Sequence, residues 1–150
     1  MPQSLSRLLT HLVFSTKHRT PCLTSAIQQE LHPYLAGVLD NIQCPALRVG
    51  GVEDHVHLFF GLSRTMSISE VVEKVKTSSS KWLKTKSPAL GEFQWQQGYG
   101  AFSVSQSDAE AVIAYVCDQA KHHQKMTFQD EYRKLLERYR VPFDEKYVWD

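Results

Sequence analysis

The chain has 150 residues and a formal net charge of +1, from 17 Lys and Arg against 16 Asp and Glu. That length suits one compact domain spanning residues 1–150, and the charge balance excludes a polycation that coats nucleic acid indiscriminately, so any polyanion site must be a local patch. Three widely spaced cysteines, Cys22, Cys44 and Cys117, fit neither a disulfide framework nor a zinc ribbon and point to a reducing cytosol; there is no signal-peptide core, and no apolar run reaches the roughly twenty residues of a membrane helix.

Leu8 to Thr16 is β-prone and closes on the polar turn Lys17 to Pro21, which predicts a first strand. Thr24 or Ser25 can cap a helix whose apolar positions Ile27, Leu31, Leu35, Val38 and Ile42 recur at helical spacing, with Pro33 expected to kink it or mark a late start. Ala46 to Val52 and His55 to Phe60 read as strands joined at Glu53-Asp54, a hairpin closed by Gly61. Ser67 and Glu70 make a capping box for a helix with Ile68, Val71, Val72, Val75, Ser79, Trp82 and Leu83 on one stripe. A loop rich in Gln, Gly and Pro leads to a fourth strand, about Tyr99 to Ser105. Ser107 and Glu110 suggest a second capping box, for a helix running to about Lys125, and Thr127 caps a last helix carrying Phe128, Tyr132, Leu135, Leu136 and Tyr139 until Pro142 stops it. The order βαββαβ plus C-terminal helices is an α+β, ferredoxin-like or RNA-recognition-like antiparallel sheet with helices on one face. Fold alone does not assign a function.

Chemistry concentrates in two places. Side chains alternate along a strand, so His55 and His57 share a face while Val56 and Leu58 point to the other, and two imidazoles on one strand can share a metal. Seven histidines produce such a triplet by chance roughly one time in eight, so alone it is weak. On the helix after Asp108, Val112, Tyr115, Val116, Gln119 and His123 line the inward stripe, which stacks Tyr115 and Gln119 four apart, with His122 beside them. Together, a strand with two imidazoles and a helix able to cover the open sheet face with an amide oxygen and a phenol make one constellation.

The segment Glu53-Asp-His55-Val-His57-Leu-Phe-Phe60, the run Tyr115-Val-Cys-Asp-Gln119-Ala-Lys-His122-His123 and the opening His11-Leu-Val-Phe-Ser-Thr-Lys-His-Arg19 closely resemble the small single-tyrosine HUH transposases of insertion sequences that move as single-stranded DNA. The resemblance runs over nearly the whole chain. It implies catalysis by Tyr115, His55, His57 and Gln119, with His55, His57 and Gln119 holding Mg²⁺ or Mn²⁺, Tyr115 as nucleophile, and a 5′-phosphotyrosyl enzyme with a free 3′-hydroxyl as product. It also implies single-stranded DNA with hairpin ends as partner, a homodimer with the tyrosine helix acting in trans, and work in a prokaryotic cytoplasm, on the nucleoid. Gln119 stands where many replication initiators of the HUH group carry a second tyrosine, and those initiators and relaxases are larger.

Accessory roles are expected for Asp54, as an orienter of His55 or part of the turn, and for His122, as a helper of the phenol or a structural histidine. Lys17, Arg19, Lys74, Lys76, Lys81, Lys84 and Lys86 can track a phosphate backbone, and the loop Phe93 to Tyr99, Trp95 above all, can stack bases or belong to the core. Two other readings compete: a domesticated palindrome-processing relative with the same chemistry, and a catalytically silent ferredoxin-like nucleic-acid binder.

Overall fold

The computed structural model describes residues 2–150. A four-stranded antiparallel sheet has the order β2-β3-β1-β4, built from β1 (Leu9–Ser15), β2 (Ala46–Gly51), β3 (His55–Gly61) and β4 (Gly100–Val104). Two 17-residue helices, α1 (Ser25–Asn41) and α2 (Ile68–Lys84), supply the crossovers, and α3 (Ala109–Cys117), α4 (Gln119–His122) and α5 (Phe128–Arg138) follow the last strand. The α+β, βαββαβ reading is therefore correct.

Strand alternation sorts the two layers. Leu12, Phe14, Val56, Leu58 and Phe60 point toward α1 and α2 and pack with Leu31, Leu35, Val71, Val75 and Leu83 in the main core, where each fully buried Leu or Phe contributes about 1.5–3 kcal/mol. Leu9, Val13, Phe59, Phe102 and Val104 point the other way, under α3 and α5, with Val116, Phe128, Tyr132 and Leu136. Both faces are covered, and the second carries the histidines.

Three local expectations meet a different outcome. α1 runs unbroken through Pro33, which lies on its exposed side where solvent can satisfy the carbonyl the ring cannot pair; Thr24 caps it by accepting from the Ile27 amide at 3.3 Å. Ser107 and Glu110 form no capping box. Residues 106–108 make a 3-10 turn that already gives Asp108 helical dihedrals, so Ser107 falls inside the turn and Ser105 Oγ instead donates to Asp108 at 3.1 Å. The tyrosine helix stops at Cys117 and restarts at Gln119 across Asp118, whose ψ is 23°. The Ser67–Glu70 capping box is present as expected.

Two glycines set how near the second layer can come. A Cβ on Gly50, opposite His57 in the β2–β3 ladder, would lie 2.4 Å from the Val116 carbonyl oxygen. One on Gly100 would lie 2.8 Å from the Tyr132 ring. Bare backbone at both points lets α3 and α5 sit directly on the sheet.

Candidate active site

His55 and His57 project from β3 into the space under α3, α4 and α5, and both are fully buried. Each ring is anchored through Nδ1. In His55 it lies 2.7 Å from Asp54 Oδ1, so the proton sits there and Nε2 faces inward. In His57 it lies 2.7 Å from Nε2 of His11, a buried neighbour on β1 whose ring stacks on it at 5.0 Å. His123 donates Nδ1 to the Met126 carbonyl at 2.7 Å.

The inward nitrogens meet two oxygens. His55 Nε2 is 3.1 Å from Gln119 Oε1 and 3.2 Å from Glu131 Oε1. His57 Nε2 is 3.1 Å from Glu131 Oε1, and His123 Nε2 is 3.1 Å from both oxygens. Glu131 reaches with its other oxygen to the Tyr115 hydroxyl, which donates to it. The break at Asp118 turns Gln119 inward while its Nε2 stays tied to the Tyr115 carbonyl at 3.3 Å.

Protonation follows from this crowding. Burial would raise the Glu131 carboxyl, but hydrogen bonds from His123, His55 and His57 override it and hold the group well below the carboxylate range. Burial would lower His55, yet Asp54 and Glu131 lift it to about 9. His57 is lowered by its complete burial, and His11 falls to about 3 through burial and through its coupling to His57, since the two adjacent rings cannot both carry a proton's charge. Burial and the Glu131 charge push the Tyr115 phenol well above its ordinary value.

This donor set suits a divalent cation. With Nδ1 protonated, neutral His55 presents a bare lone pair to two oxygen acceptors, an arrangement that needs either a proton or a cation between them. One donor atom from each of His55, His57 and Glu131 lies within 4.8 Å of the others. Contacts of 3.1–3.2 Å match the edges of a coordination shell with metal–ligand bonds of roughly 2.1–2.2 Å.

The residues singled out in the sequence divide clearly. The structure brings together His55, His57, Gln119 and Tyr115, with Asp54 as the orienter of His55. His122 stays off the cation position: its ring packs at 4.6 Å on Tyr115, and its buried Nε2 has no partner among the described residues. Trp95 does not offer a base-stacking surface. Its indole is buried edge-on against Phe14 and Phe93, and Nε1 donates to Ser79 at 2.9 Å, so the core reading applies. Lys76 is also structural, donating to the carbonyls of Gln96, Gln97 and Gly98 at 2.7, 3.2 and 2.7 Å, and burial lowers it to about 8. Lys74 and Lys81 lie on α2, across the sheet from the histidines. Lys17 reaches Gln94 at 2.9 Å, and Arg19 stands over the Trp149 ring at 5.6 Å.

Sequence reasoning missed Glu131 and His11. Glu131 carried a signal, an acid inside the apolar stripe of Phe128, Tyr132 and Leu135. His11 carried one too, as an inward position on the alternating first strand.

Against known proteins, the model of the family described as "Transposase IS200 like" matches residues 4–119. Among solved structures, a candidate transposase from Deinococcus radiodurans superposes with a TM-score of 0.62 at 22% identity, covering 79% of this chain and 98% of its own. A REP-associated tyrosine transposase, solved bound to a REP hairpin, superposes with a TM-score of 0.60 at 13% identity, covering 82% of this chain and 72% of its own. At those identities the two structures establish a shared fold. No curated protein sequence matches the chain.

Proposed function

Given that the chain belongs to the IS200-like transposase family, we propose that it is a metal-dependent single-strand DNA transposase in which Tyr115 is the nucleophile. The observation that carries this reading is the junction at Glu131, one carboxylate that faces His55 and His57 with one oxygen and accepts the Tyr115 hydroxyl with the other. Nucleophile and cation position are thereby neighbours within one chain.

His55, His57, Gln119 and Glu131 would hold the cation, with Asp54 and His11 fixing the two rings. A cation held there would supply positive charge to offset the phosphate and would favour the phenolate form of Tyr115. Two imidazoles favour Mn²⁺ intrinsically, and cellular abundance favours Mg²⁺. Tyr115 then attacks the phosphorus, the new Tyr115 Oη–P bond replaces the bond to the 3′-oxygen, and a 5′-phosphotyrosine and a 3′-hydroxyl result. A half-buried phenol beside a carboxylate is a poor nucleophile unaided, so compensating positive charge is a requirement. The hydroxyl donates to Glu131, which holds the phenol beside the cation position; the proton it gives up on attack passes to solvent, and the leaving 3′-oxygen takes one up. Strand joining is the reverse exchange, with one phosphodiester traded for another and no ATP.

Tyr115 and Gln119 meet the histidines of their own chain, which supports a site completed in cis. Excision needs two cuts, so we propose that two chains cooperate, each handling one end; helix exchange between them is not required by this arrangement. The hairpin bound by the REP-associated relative supports a folded-back DNA substrate, and equally the domesticated, palindrome-processing reading, which flanking repeats around the gene would distinguish. No helix among the described residues is long and apolar enough to cross a membrane.

The test is incubation with single-stranded DNA from both flanks of the gene, with Mn²⁺ or Mg²⁺. The wild type should form a denaturation-resistant protein–DNA adduct, while Tyr115→Phe and His57→Ala should form none. Binding without an adduct in the wild type, under both metals, would replace this reading with the silent binder.

A further inference from the structure

Beside the catalytic constellation, α5 walls a cavity of about 310 Å³ lined by Tyr115, His122, Met126, Glu131, Lys134, Leu135 and Arg138. Glu131, Lys134, Leu135 and Arg138 stand at i, i+3, i+4 and i+7, which is one face of the helix. The cavity opens onto the half-buried nucleophile, so a polyanionic strand that approaches Tyr115 from here must pass the Glu131 carboxylate. Like charge at that point needs an offset.

We infer that Lys134 and Arg138 form a phosphate-binding wall that delivers the backbone of single-stranded DNA to Tyr115. The inference rests on the tyrosine-nucleophile reading and extends it to a helix outside the family match, which ends at residue 119. Exposed cations on a helix are ordinarily solvated, and the contrast along α5 argues otherwise here. Arg133, on another face, is spent structurally on Asp130 at 3.2 Å and on Glu145 at 2.5 Å. Lys134 and Arg138 make no ion pair and no side-chain hydrogen bond among the described residues, and both are exposed residues that line the cavity holding the phenol. His122 belongs to the same lining. Two cations without partners among the described residues thus line the cavity that holds the nucleophile. Arginine adds a planar fork that matches two phosphate oxygens, and lysine a point charge.

The experiment uses the full chain and a fluorescein-labelled single strand copied from the flank. Wild type is compared with the double variant Lys134→Gln/Arg138→Gln and the charge-preserving Lys134→Arg/Arg138→Lys. For the glutamine variant the adduct rate should fall about 10- to 100-fold, as expected for lost charge-assisted hydrogen bonds. Its plot of log affinity against log salt should become shallower by about 0.7 for each lost phosphate contact. Mn²⁺ binding followed by EPR and the thermal midpoint should match the wild type, and the charge-preserving variant should recover the salt slope. An unchanged salt slope and adduct rate in the glutamine variant would overturn the assignment. If the wild type forms no adduct, the tyrosine reading fails by itself, and the salt slope still decides whether these two side chains hold the strand.

Discussion

At the residue scale the protein concentrates its electrostatics on Glu131, a buried carboxylate serving two partners in different states. Without a cation, the raised His55 and the N–H groups of its neighbours satisfy the first oxygen; with one, the neutral rings and the carboxylate can turn to the metal. Glu131→Gln keeps the shape and the bond to Tyr115 but removes the charge, so divalent-cation affinity should fall at least about 10-fold by isothermal titration. Glu131→Ala goes further, because the buried, raised His55 loses one of its two counter-charges. Breaking a buried pair from one side costs about 3–5 kcal/mol, which urea unfolding of the metal-free protein should register. A glutamine variant that binds Mn²⁺ like the wild type would remove Glu131 from the donor set.

At the element scale the decisive contact is that of α3 on β2. The helix carries the nucleophile, and its height above the sheet is set by the absence of a side chain at Gly50. Gly50→Ala would place a methyl 2.4 Å from a carbonyl oxygen, and since backbone atoms are on both sides, the helix end must lift by about 1 Å. A displacement of that size at Tyr115 and Gln119 should cost on the order of 100-fold in adduct formation while stability drops by only about 1–3 kcal/mol. Single-turnover rates test this, and a rate within about twofold of wild type would show that the close approach does not position the nucleophile.

At the scale of the whole molecule, several buried histidines give the metal-free protein a stability maximum near neutrality. His11 and His32 are lowered to about 3 and about 4, both chiefly by burial, and His57 is lowered too. The unfolded chain protonates them near the ordinary 6.5 while the fold keeps them neutral, so stability present above that value is lost as pH falls from 6.5 toward 4. His55, raised to about 9, works in the opposite sense: its contribution is complete below 6.5 and disappears as pH rises through 9. Urea midpoints measured across this range should therefore fall on both sides. His32→Leu should flatten the acid limb by up to about 1.4 kcal/mol per pH unit, and saturating Mn²⁺ should flatten the alkaline limb by holding His55 neutral. Equal midpoints at about pH 7 and pH 4.5 would contradict the acid half of this account.

Which features the sequence could reveal follows from the range of the forces involved. Strand alternation placed His55 and His57 on one face, helical period put Tyr115 over Gln119, and the Ser67–Glu70 box marked the start of α2; each is decided by neighbours within one or two turns of chain. The break at Asp118, the passage of α1 through Pro33 and the 3-10 turn that displaced the Ser107 cap depend on what the segment packs against, and periodicity carries no record of that. Trp95 shows the same division, since an aromatic in a glutamine-rich loop reads as exposed until Phe14, Phe93 and Ser79 close around it. By itself the sequence determined the βαββαβ order, the two-imidazole strand and the tyrosine helix, because local sterics and burial pattern suffice for these. Only the tertiary structure decided that Glu131, from a helix beyond the family match, stands between those imidazoles and Tyr115. A carboxylate takes such a place only where rings from β3 and from the turn after α4 together repay its desolvation.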